Sequence, residues 1–411
     1  MLRTLGSPRT GTIDTRSRAP FGWAPLVVLF IVGFVDRIEY NLLIGVLPAV
    51  QREWGFSDTA AGSIATAAAL AAAVVTLPAG YLADRFSRTR IIAVVVLVWA
   101  VATLGSGLAT GCLTFYLMRV LLAAAENIDN PASGSLLADY YPRVSRAKAY
   151  GLTRLTMHLG GVGTLLGGVL AEVFSWRTAF LLMVVPGVLT AVLVWLLREP
   201  RRGELDHLVA AGDAFPLSAA FLAKPPFWRQ FRQVLAIPTL TFVCAGLSLL
   251  TFGLSGIFYW LPTFMVRAFG VGTGTAGSLS GLVTIAGTLT GTLVGSWLGR
   301  KWHDTRKGGR LLAGGGITAG SLVPAASRGL GFAVLQLLIT AGGAFGSLVV
   351  GIASDQLGSL LAGMYILVLP MVAGGLLALK ARGSFERDAR EVMEAAGRCS
   401  ARTVAHQLGL S

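Results

Sequence analysis

Apolar runs long enough to cross a lipid bilayer recur along most of this sequence, with short polar breaks between them. A helix rises about 1.5 Å per residue, so about 20 apolar residues span the hydrocarbon core. Only 13% of the 411 residues are charged, and the mean hydropathy is +0.69. Because the bilayer core holds no water to satisfy the backbone, these runs predict an all-α polytopic membrane protein.

The predicted membrane spans are apolar segments separated by polar residues. They cover residues 22–46, 60–82, 91–110, 113–138, 149–171, 177–197, 236–265, 275–298, 311–327, 331–353 and 359–380. The segment 311–327 is rich in glycine, is interrupted by Pro324 and is the weakest of them. No small-residue cleavage site follows the first run, so we expect it to be retained as a helix.

Arginine and lysine cluster in alternate breaks, and this pattern predicts the orientation. The clusters are Arg3 to Arg18, Arg85 to Arg90, Arg143 to Lys148, Arg198 to Arg232, Arg300 to Arg310 and Lys380 to Arg402. By the positive-inside rule these breaks and both termini are expected in the cytoplasm, with the protein in the cell's inner (plasma) membrane. Topology thereby explains the net charge of +14, and no nucleic-acid partner is expected.

The stretch 198–235, with its prolines, arginines and aromatics, reads as a cytoplasmic linker between two helical halves. The predicted organisation is a cytoplasmic N-terminal tail 1–21, a six-helix half 22–197, the linker 198–235, a shorter C-terminal half 236–380 and a cytoplasmic C-terminal tail 381–411. An internal repeat supports two halves, because "AGYLADR" closes the second span and "GSWLGRK" closes the eighth. Duplicated helical halves are typical of secondary transporters.

Small residues at four-residue spacing indicate where helices could approach closely. They are Gly163 and Gly167 in the fifth span, Gly287, Gly291, Gly295 and Gly299 in the eighth, and Gly342 and Gly346 in the penultimate one. Because glycine is common in membrane helices, each pair is either a packing interface or background.

The orientation creates a parity problem in the second half. An even number of crossings must join cytoplasmic Arg310 to cytoplasmic Lys380, but an odd number of apolar segments lies between them. Either one of these segments does not cross the membrane, or a helix is missing.

Ionisable residues inside the first predicted span are candidates for function, because a charge at the bilayer centre costs about 2.5–3.5 kcal/mol. Asp36 is expected near the middle of the membrane, with Glu39 and Tyr40 on adjoining turns of the same broad face. Arg37 is expected to point elsewhere, about 100° round the helix from Asp36.

The fourth span carries a second set of candidates. Arg119, Glu126 and Asn130 lie on one stripe of the helix, and Asp129 lies beside it. Pro131 cannot donate to the helix ladder, so we expect the helix to bend or open there. Neighbouring arginine lowers and desolvation raises a carboxyl pKa, so Asp36 and Glu126 could hold or release a proton beside Arg119. A static buried ion pair is the alternative.

Glu39, Tyr40 and Asn130 are candidates for the wall of a substrate cavity, and two further residues join them. His158 in the fifth span is either a protonatable cavity group or a histidine bonded to the backbone. Tyr259 in the seventh span is either an interfacial aromatic or part of a cavity wall. The three cysteines have no paired or metal-like spacing, so no metal or cofactor is expected.

The stretch "GYLADRFSRTR" resembles the cytoplasmic gating motif of the major facilitator superfamily. Gly80, Leu82, Asp84, Arg85 and Arg88 match it, whereas Ser87 and Thr89 replace the usual glycine and lysine. An acid at a helix end beside guanidinium groups can form a charge latch, for which Asp139 is the expected acidic partner. A merely topological basic loop is the alternative.

Four other stretches resemble the bacterial spinster-like branch of that superfamily, which includes lysolipid and sphingolipid transporters. They are "FVDR", "GVLPAVQ", "REPRRGEL" and "FYWLPTFMVRAFG". The resemblance implies proton coupling through Asp36, Arg119 and Glu126. It also implies that 311–327 stands where two helices are expected, so the second half is shortened by most of a helical hairpin.

The leading hypothesis is a proton-coupled secondary transporter that moves a lysolipid-like amphipathic solute or an organic anion by alternating access. It is expected to act as a monomer in the bilayer, with protons and a small-molecule or lysolipid substrate as partners. A truncated, non-transporting or regulatory protein of the same fold is the second hypothesis. An intramembrane enzyme using Asp36, Glu126 and His158 is the third, and no nucleophile or metal-ligand spacing supports it.

Overall fold

The structure is a computed structural model that describes residues 19–202, 237–302 and 328–381, together with residues 383, 384, 387 and 388. All regular elements in these ranges are helical. The predicted span 311–327, most of the linker and most of both tails lie outside the described residues.

Among the described residues, the first half contains a longer series of helices than the second. Its helices are α1 (Ala24–Trp54), α2 (Asp58–Arg85), α3 (Arg88–Gly107), α4 (Cys112–Tyr140), α5 (Arg143–Leu155), α6 (Gly161–Val173) and α7 (Trp176–Trp195). The second half contains α8 (Pro238–Phe269), α9 (Thr273–Trp302), α10 (Arg328–Leu357), α11 (Leu360–Tyr365) and α12 (residues 368–381). A 3-10 turn, Thr156–Leu159, joins α5 to α6.

The helices begin and end where the sequence supplies caps. The Ser57 hydroxyl accepts a hydrogen bond from the Ala60 N–H at the start of α2. Helices α1 and α8 end at Gly55 and Gly270, whose φ angles of 63° and 65° favour a residue without a Cβ. One helix of each half thus ends at a glycine with a positive φ angle.

The described helices form six crossings in the first half and four in the second. α5 and α6 make one crossing and α11 and α12 make another. Between residues 328 and 381 the described helices make two crossings, and the segment 311–327, on which the parity depends, lies outside the described residues. Seven of these crossings are long and apolar enough to span a membrane by length and composition. The other three are α1 and α4, which carry ionisable residues in their middle, and the fifth crossing, which is divided between α5 and α6.

The helix break lies in a different crossing from the one that the sequence suggested. α4 continues as a helix from Cys112 to Tyr140 through Pro131, so the expected opening at this proline is wrong. The fifth crossing is interrupted instead, at Thr156–Leu159. A proline can remain in a helix when the released carbonyl finds another partner, so its presence alone does not locate a break.

Glycines bring one pair of helices together in each half. A Cβ at Gly163 or Gly167 of α6 would collide with a backbone oxygen of α1, and one at Gly342 or Gly346 of α10 would collide with a backbone oxygen of α8. These two predicted pairs are therefore interfaces, placed alike in the two halves. Gly287 of α9, and Gly291 after it, would meet no described atom within 4 Å, so they are not interface glycines here.

The bundle has two ends. We call the end that carries residues 85–90 and 198–202 the basic end, and the end that carries the α1–α2, α8–α9 and α10–α11 connections the far end. The two halves meet where α6 packs on α9 and where α2 packs on α10. Close approaches of α9 to α6 are found at Gly277 and Gly281 but not further along at Gly287, so these helices are closest toward the far end.

Replacing Gly346 by alanine tests this packing. Gly346→Ala should lower the free energy of unfolding by about 1–3 kcal/mol, because the new Cβ collides with the Phe252 carbonyl oxygen. Gly287→Ala is the matched control and should be neutral or slightly stabilising. Thermal unfolding of the purified variants in detergent measures both, and equal effects at the two positions would contradict the packing.

Candidate functional site

A buried ion pair joins α1 to α4. Arg119 is 2% exposed and Glu39 is 0% exposed, and the Arg119 Nη2 lies 2.9 Å from the Glu39 Oε1. Two charges out of water are costly unless their geometry and surrounding hydrogen bonds compensate. The sequence reasoning set Arg119 beside Asp36 and Glu126; the structure gives it Glu39 as its ion-pair partner.

Helix α3 and the aromatic ring of Phe180 hold this pair in place. The Thr103 hydroxyl donates to the Glu39 Oε1 at 3.0 Å, and the Ser106 hydroxyl accepts from the Arg119 Nε at 3.1 Å. The guanidinium carbon lies 4.6 Å from the centroid of the Phe180 ring. Within the described part of the chain, the Arg119 Nη1 and the Glu39 Oε2 make no hydrogen bond, so each retains unused hydrogen-bonding capacity.

Arg119 lines a cavity between the two halves. Its wall consists of Tyr40, Leu43, Ile44, Ile64, Ala65, Ala68, Arg119, Leu122, Ala123 and Tyr259. The cavity therefore combines a mostly apolar wall with one cationic group.

Tyr259 brings the second half into this wall. Its side chain is 5% exposed, and its hydroxyl donates a hydrogen bond of 2.6 Å to the carbonyl oxygen of Ala61 in α2. Of the two interpretations of this residue, the geometry favours a cavity wall over an interfacial aromatic. Its neighbour Trp260 is buried and donates to the Ser347 carbonyl oxygen at 2.9 Å.

Asp36 and Glu126 lie together in a second, smaller cavity. This smaller cavity is lined by Val32, Asp36, Val95, Val96, Trp99, Glu126 and Asp129. Arg119 does not line it, because the seven residues from Arg119 to Glu126 are two helical turns, about 10 Å along the axis. The single site expected from the sequence is thus divided into two neighbouring cavities.

Two residues at or beside the smaller cavity differ from expectation. Asp129 joins Asp36 and Glu126 in the cavity wall, which its position three residues after Glu126 could have indicated. The Arg37 Nε lies 3.4 Å from the Asp36 Oδ2, so the expectation that this side chain points away is wrong. A long flexible arginine can reach round its own helix. No His, Cys, Asp or Glu group in the described ranges could hold a metal ion.

The remaining cavity candidates are less informative. His158 lies in the 3-10 turn, is partly buried and is absent from the walls of both cavities. Asn130 belongs to α4, but its side chain lies outside what the structure describes.

At the basic end, Arg88 joins α3 to the ends of α4 and α7. It forms an ion pair with Asp139, and its Nε lies 2.8 Å from the Glu199 Oε1. The side chain of Arg88 is fully buried. The expected pairing with Asp139 is present, and it lies within the first half.

Glu199 is a member of this network that the sequence reasoning missed. It stands in "REPRRGEL", which indicated only a linker. Burial alone would raise the pKa of Glu199, but the Thr89 N–H and the Arg88 guanidinium outweigh it and hold that pKa below its ordinary value of 4.5. The Oε2 accepts from the Thr89 N–H at 2.8 Å, so the carboxylate also caps α3.

The other residues of the gating motif are partly described. The Arg85 guanidinium carbon lies 4.9 Å from the centroid of the Tyr81 ring, and both side chains are exposed. Gly80 and Asp84 lie near the end of α2, but their side-chain positions are outside the description.

Comparisons with known proteins agree with this fold. The family model described as Major Facilitator Superfamily matches residues 29–323. The gallate transporter of Pseudomonas putida is 26% identical over 325 residues, covering 73% of this chain and 70% of that protein. The cis,cis-muconate transport protein of Acinetobacter baylyi is 24% identical over 243 residues; the match covers 59% of this chain and 58% of that protein, less than two thirds of its length.

A solved structure also resembles this chain. It is a bacterial homolog of the human lysosomal transporter Spinster in an inward-facing and unoccupied conformation. The TM-score is 0.74 at 21% sequence identity, covering 90% of this chain and 97% of that chain.

The buried ion pair predicts a coupled effect on stability. Arg119→Leu should lower the free energy of unfolding by about 3–5 kcal/mol, because it leaves the Glu39 charge buried without a partner. Adding Glu39→Leu should restore most of that loss. Denaturant or thermal unfolding of the single and double variants measures the coupling, and additive losses would contradict it.

Glu199 predicts a pH dependence at the basic end. A carboxyl whose pKa is lowered by folding stabilises the protein fully above its unfolded pKa, and this stabilisation is lost as the pH falls through the folded value. At pH 7, Glu199→Gln should lower Tm by about 1–2 °C, since the group is partly exposed. The Tm difference should disappear below about pH 4; a difference that stays constant from pH 7 to pH 3 would contradict this assignment.

Proposed function

We infer the function from one premise: this chain belongs to the Major Facilitator Superfamily. It is accordingly a multi-pass membrane protein of a transporter superfamily and not an enzyme. We propose that it is a proton-coupled secondary transporter for a small organic anion with an apolar body. The observation that carries this proposal is the buried Arg119 in the wall of the larger cavity.

Arg119 is suited to recognise an anionic group. Its Nη1 faces no hydrogen-bond acceptor among the described residues, and an arginine can bind a carboxylate through two parallel hydrogen bonds. The surrounding wall of tyrosine and aliphatic side chains would accept an apolar body. The named substrates of two relatives, gallate and cis,cis-muconate, are organic anions, which agrees with this chemistry.

The named substrates of two relatives favour a small solute over a lysolipid. Gallate and cis,cis-muconate are small organic anions, whereas a lysolipid adds a long acyl chain to its headgroup. A lysolipid therefore remains the second substrate class in the transport test.

The Arg119–Glu39 pair suggests how a proton could be coupled to the anion. An incoming carboxylate competes with Glu39 for the guanidinium, and protonation of Glu39 would release Arg119 to the solute. Asp36 and Glu126 lie on the same two helices in the smaller cavity, and we assign them as proton carriers to and from this pair. Tyr40 and Tyr259 would contact the body of the solute, with Asn130 and His158 as further cavity residues.

The basic end is assigned to the cytoplasm, with both termini there and the protein in the inner membrane. This orientation rests on the positive-inside rule. Gly80, Asp84, Arg85, Arg88 and Asp139 would then form the cytoplasmic gating motif. For the tails, halves and linker we propose the boundaries predicted from the sequence. We also propose that the protein acts as a monomer.

A non-transporting protein of the same fold is the alternative function. The described second half provides four crossings against six in the first half. A transporter with unequal halves has fewer helices to line its cavity from one side. The alternative predicts binding of a solute without translocation.

Uptake into proteoliposomes tests the proposal. The purified full chain is supplied with labelled aromatic carboxylates, unsaturated dicarboxylates or lysolipids, with and without an imposed pH gradient. Gradient-driven uptake of a small organic anion is expected. Arg119→Gln should reduce uptake at least tenfold, because it removes the anion's charged partner.

The proton carriers are tested by separating driven uptake from exchange. Asp36→Asn and Glu126→Gln should lose gradient-driven uptake while retaining exchange of labelled for unlabelled solute. Glu53→Gln, an exposed acid that pairs with Arg177 within the first half, is the matched control and should retain both. Folded protein that binds the anion but never moves it would establish the non-transporting alternative.

A further inference from the structure

At the far end, an acidic residue of the second half binds the first turn of a helix in the first half. The Asp355 carboxylate, near the end of α10, accepts hydrogen bonds from the N–H groups of Asp58 and Thr59 at 3.0 and 2.8 Å. These are the first two N–H groups of α2, which have no partner inside the helix. Ser57 satisfies the third, that of Ala60.

An acidic residue of the first half makes the corresponding contact on the second half. The Glu172 carboxylate, near the end of α6, accepts a hydrogen bond from the N–H of Gly274 in the first turn of α9. A Cβ at Gly272 or Gly274 would lie 2.6 or 2.7 Å from the Glu172 Oε2, so glycine leaves the space for this carboxylate. This contact gives a structural reason for the second and third glycines of the stretch "GVGTG".

The two contacts are placed alike in the internal repeat. Helices α2 and α9 each end in one of the repeated motifs, "AGYLADR" and "GSWLGRK". Helices α6 and α10 carry the matching glycine pairs that pack within their own halves. In each case an acidic residue near the end of a helix in one half caps the N-terminus of a helix in the other half. The two capped helices, α2 and α9, carry the repeated motif.

These carboxylates lie where a negative charge is most favourable on the facing helix. A helix N-terminus presents unpaired N–H donors and a partial positive charge. Arg267 of the second half strengthens the first contact, because its guanidinium binds both oxygens of the Asp58 side chain at 2.7 Å. The Ser354 hydroxyl, next to Asp355, donates to the same side chain at 2.6 Å.

We propose that Asp355 and Glu172 form a reciprocal pair of helix caps that hold the far end of the bundle closed. Each cap joins the two halves at the end where their helices are closest. Opening of the far end must separate α2 from α10 and α6 from α9, so both caps must break. Loss of the caps should therefore shift the equilibrium toward a conformation that is open at the far end.

Distances between spin labels at the far end test this proposal. Leu108, at the end of α3, and Leu357, at the end of α10, are 62% and 58% exposed and lie in different halves. Both are changed to cysteine in the full chain after Cys112, Cys244 and Cys399 have been replaced by serine. The distances are measured in lipid nanodiscs without any solute.

The double variant Asp355→Ala with Glu172→Ala should increase the population with the longer distance roughly 3- to 30-fold over the parent chain. Gly274→Ala should act in the same direction, because its Cβ displaces the Glu172 carboxylate. Glu53→Ala is the matched control, since this acid at the same end pairs with Arg177 of its own half, and it should leave the distances unchanged.

Unchanged distances in the double variant would overturn the proposal, and so would an equal change in Glu53→Ala. If the double alanine variant does not fold, Asp355→Asn with Glu172→Gln answers the same question, because the amides keep an acceptor but lose the charge. A shift in that variant supports the caps and no shift overturns them. Since no solute is present, this result is independent of whether the protein transports an anion.

Discussion

Polar groups in the core of a bilayer find no water, so each must find its partner within the protein. Arg119 and Glu39 show the constraint most directly, because two opposite charges are buried against each other and against α3. The glycine contacts meet the same constraint in another way. They let helix backbones approach closely enough to pack without large side chains between them.

The division of the charged residues into two cavities separates two chemical tasks. Arg119 stands in an apolar cavity between the halves, where a solute could reach it. Asp36, Glu126 and Asp129 stand in a smaller cavity within the first half. Glu39 connects the two, because it follows Asp36 by one helical turn and binds Arg119. Anion binding and proton exchange could thus occur at different places on the same pair of helices.

Much of the fold could be predicted from the sequence, because hydropathy and length are local properties. The predicted spans of the first half agree with the described helices to within a few residues, except that α1 continues to Trp54 beyond the predicted end at residue 46 and that the fifth crossing is divided. There Thr156–Leu159 interrupts the helix, although no proline is present. Proline marks a backbone without a donor, but packing decides whether the helix opens.

The candidate site could be predicted only in part. The sequence selected Arg119, Asp36 and Glu126, because ionisable residues are rare inside membrane helices and therefore conspicuous. It set Arg119 beside Asp36 and Glu126 and did not identify Glu39 as its ion-pair partner. Glu199 gave no signal as the partner of Arg88, since it stands among the charged residues of a linker.

The sequence by itself determined that this chain is a helical membrane protein with a repeated architecture, basic loops on one side and a few charges inside the membrane. Only the tertiary structure decided which charges meet. It paired Arg119 with Glu39, placed Tyr259 against α2, and brought Asp355 and Glu172 to the helix ends of the opposite half. The physical reason is that such contacts depend on the rotation and tilt of whole helices, whereas hydropathy and spacing describe one segment at a time.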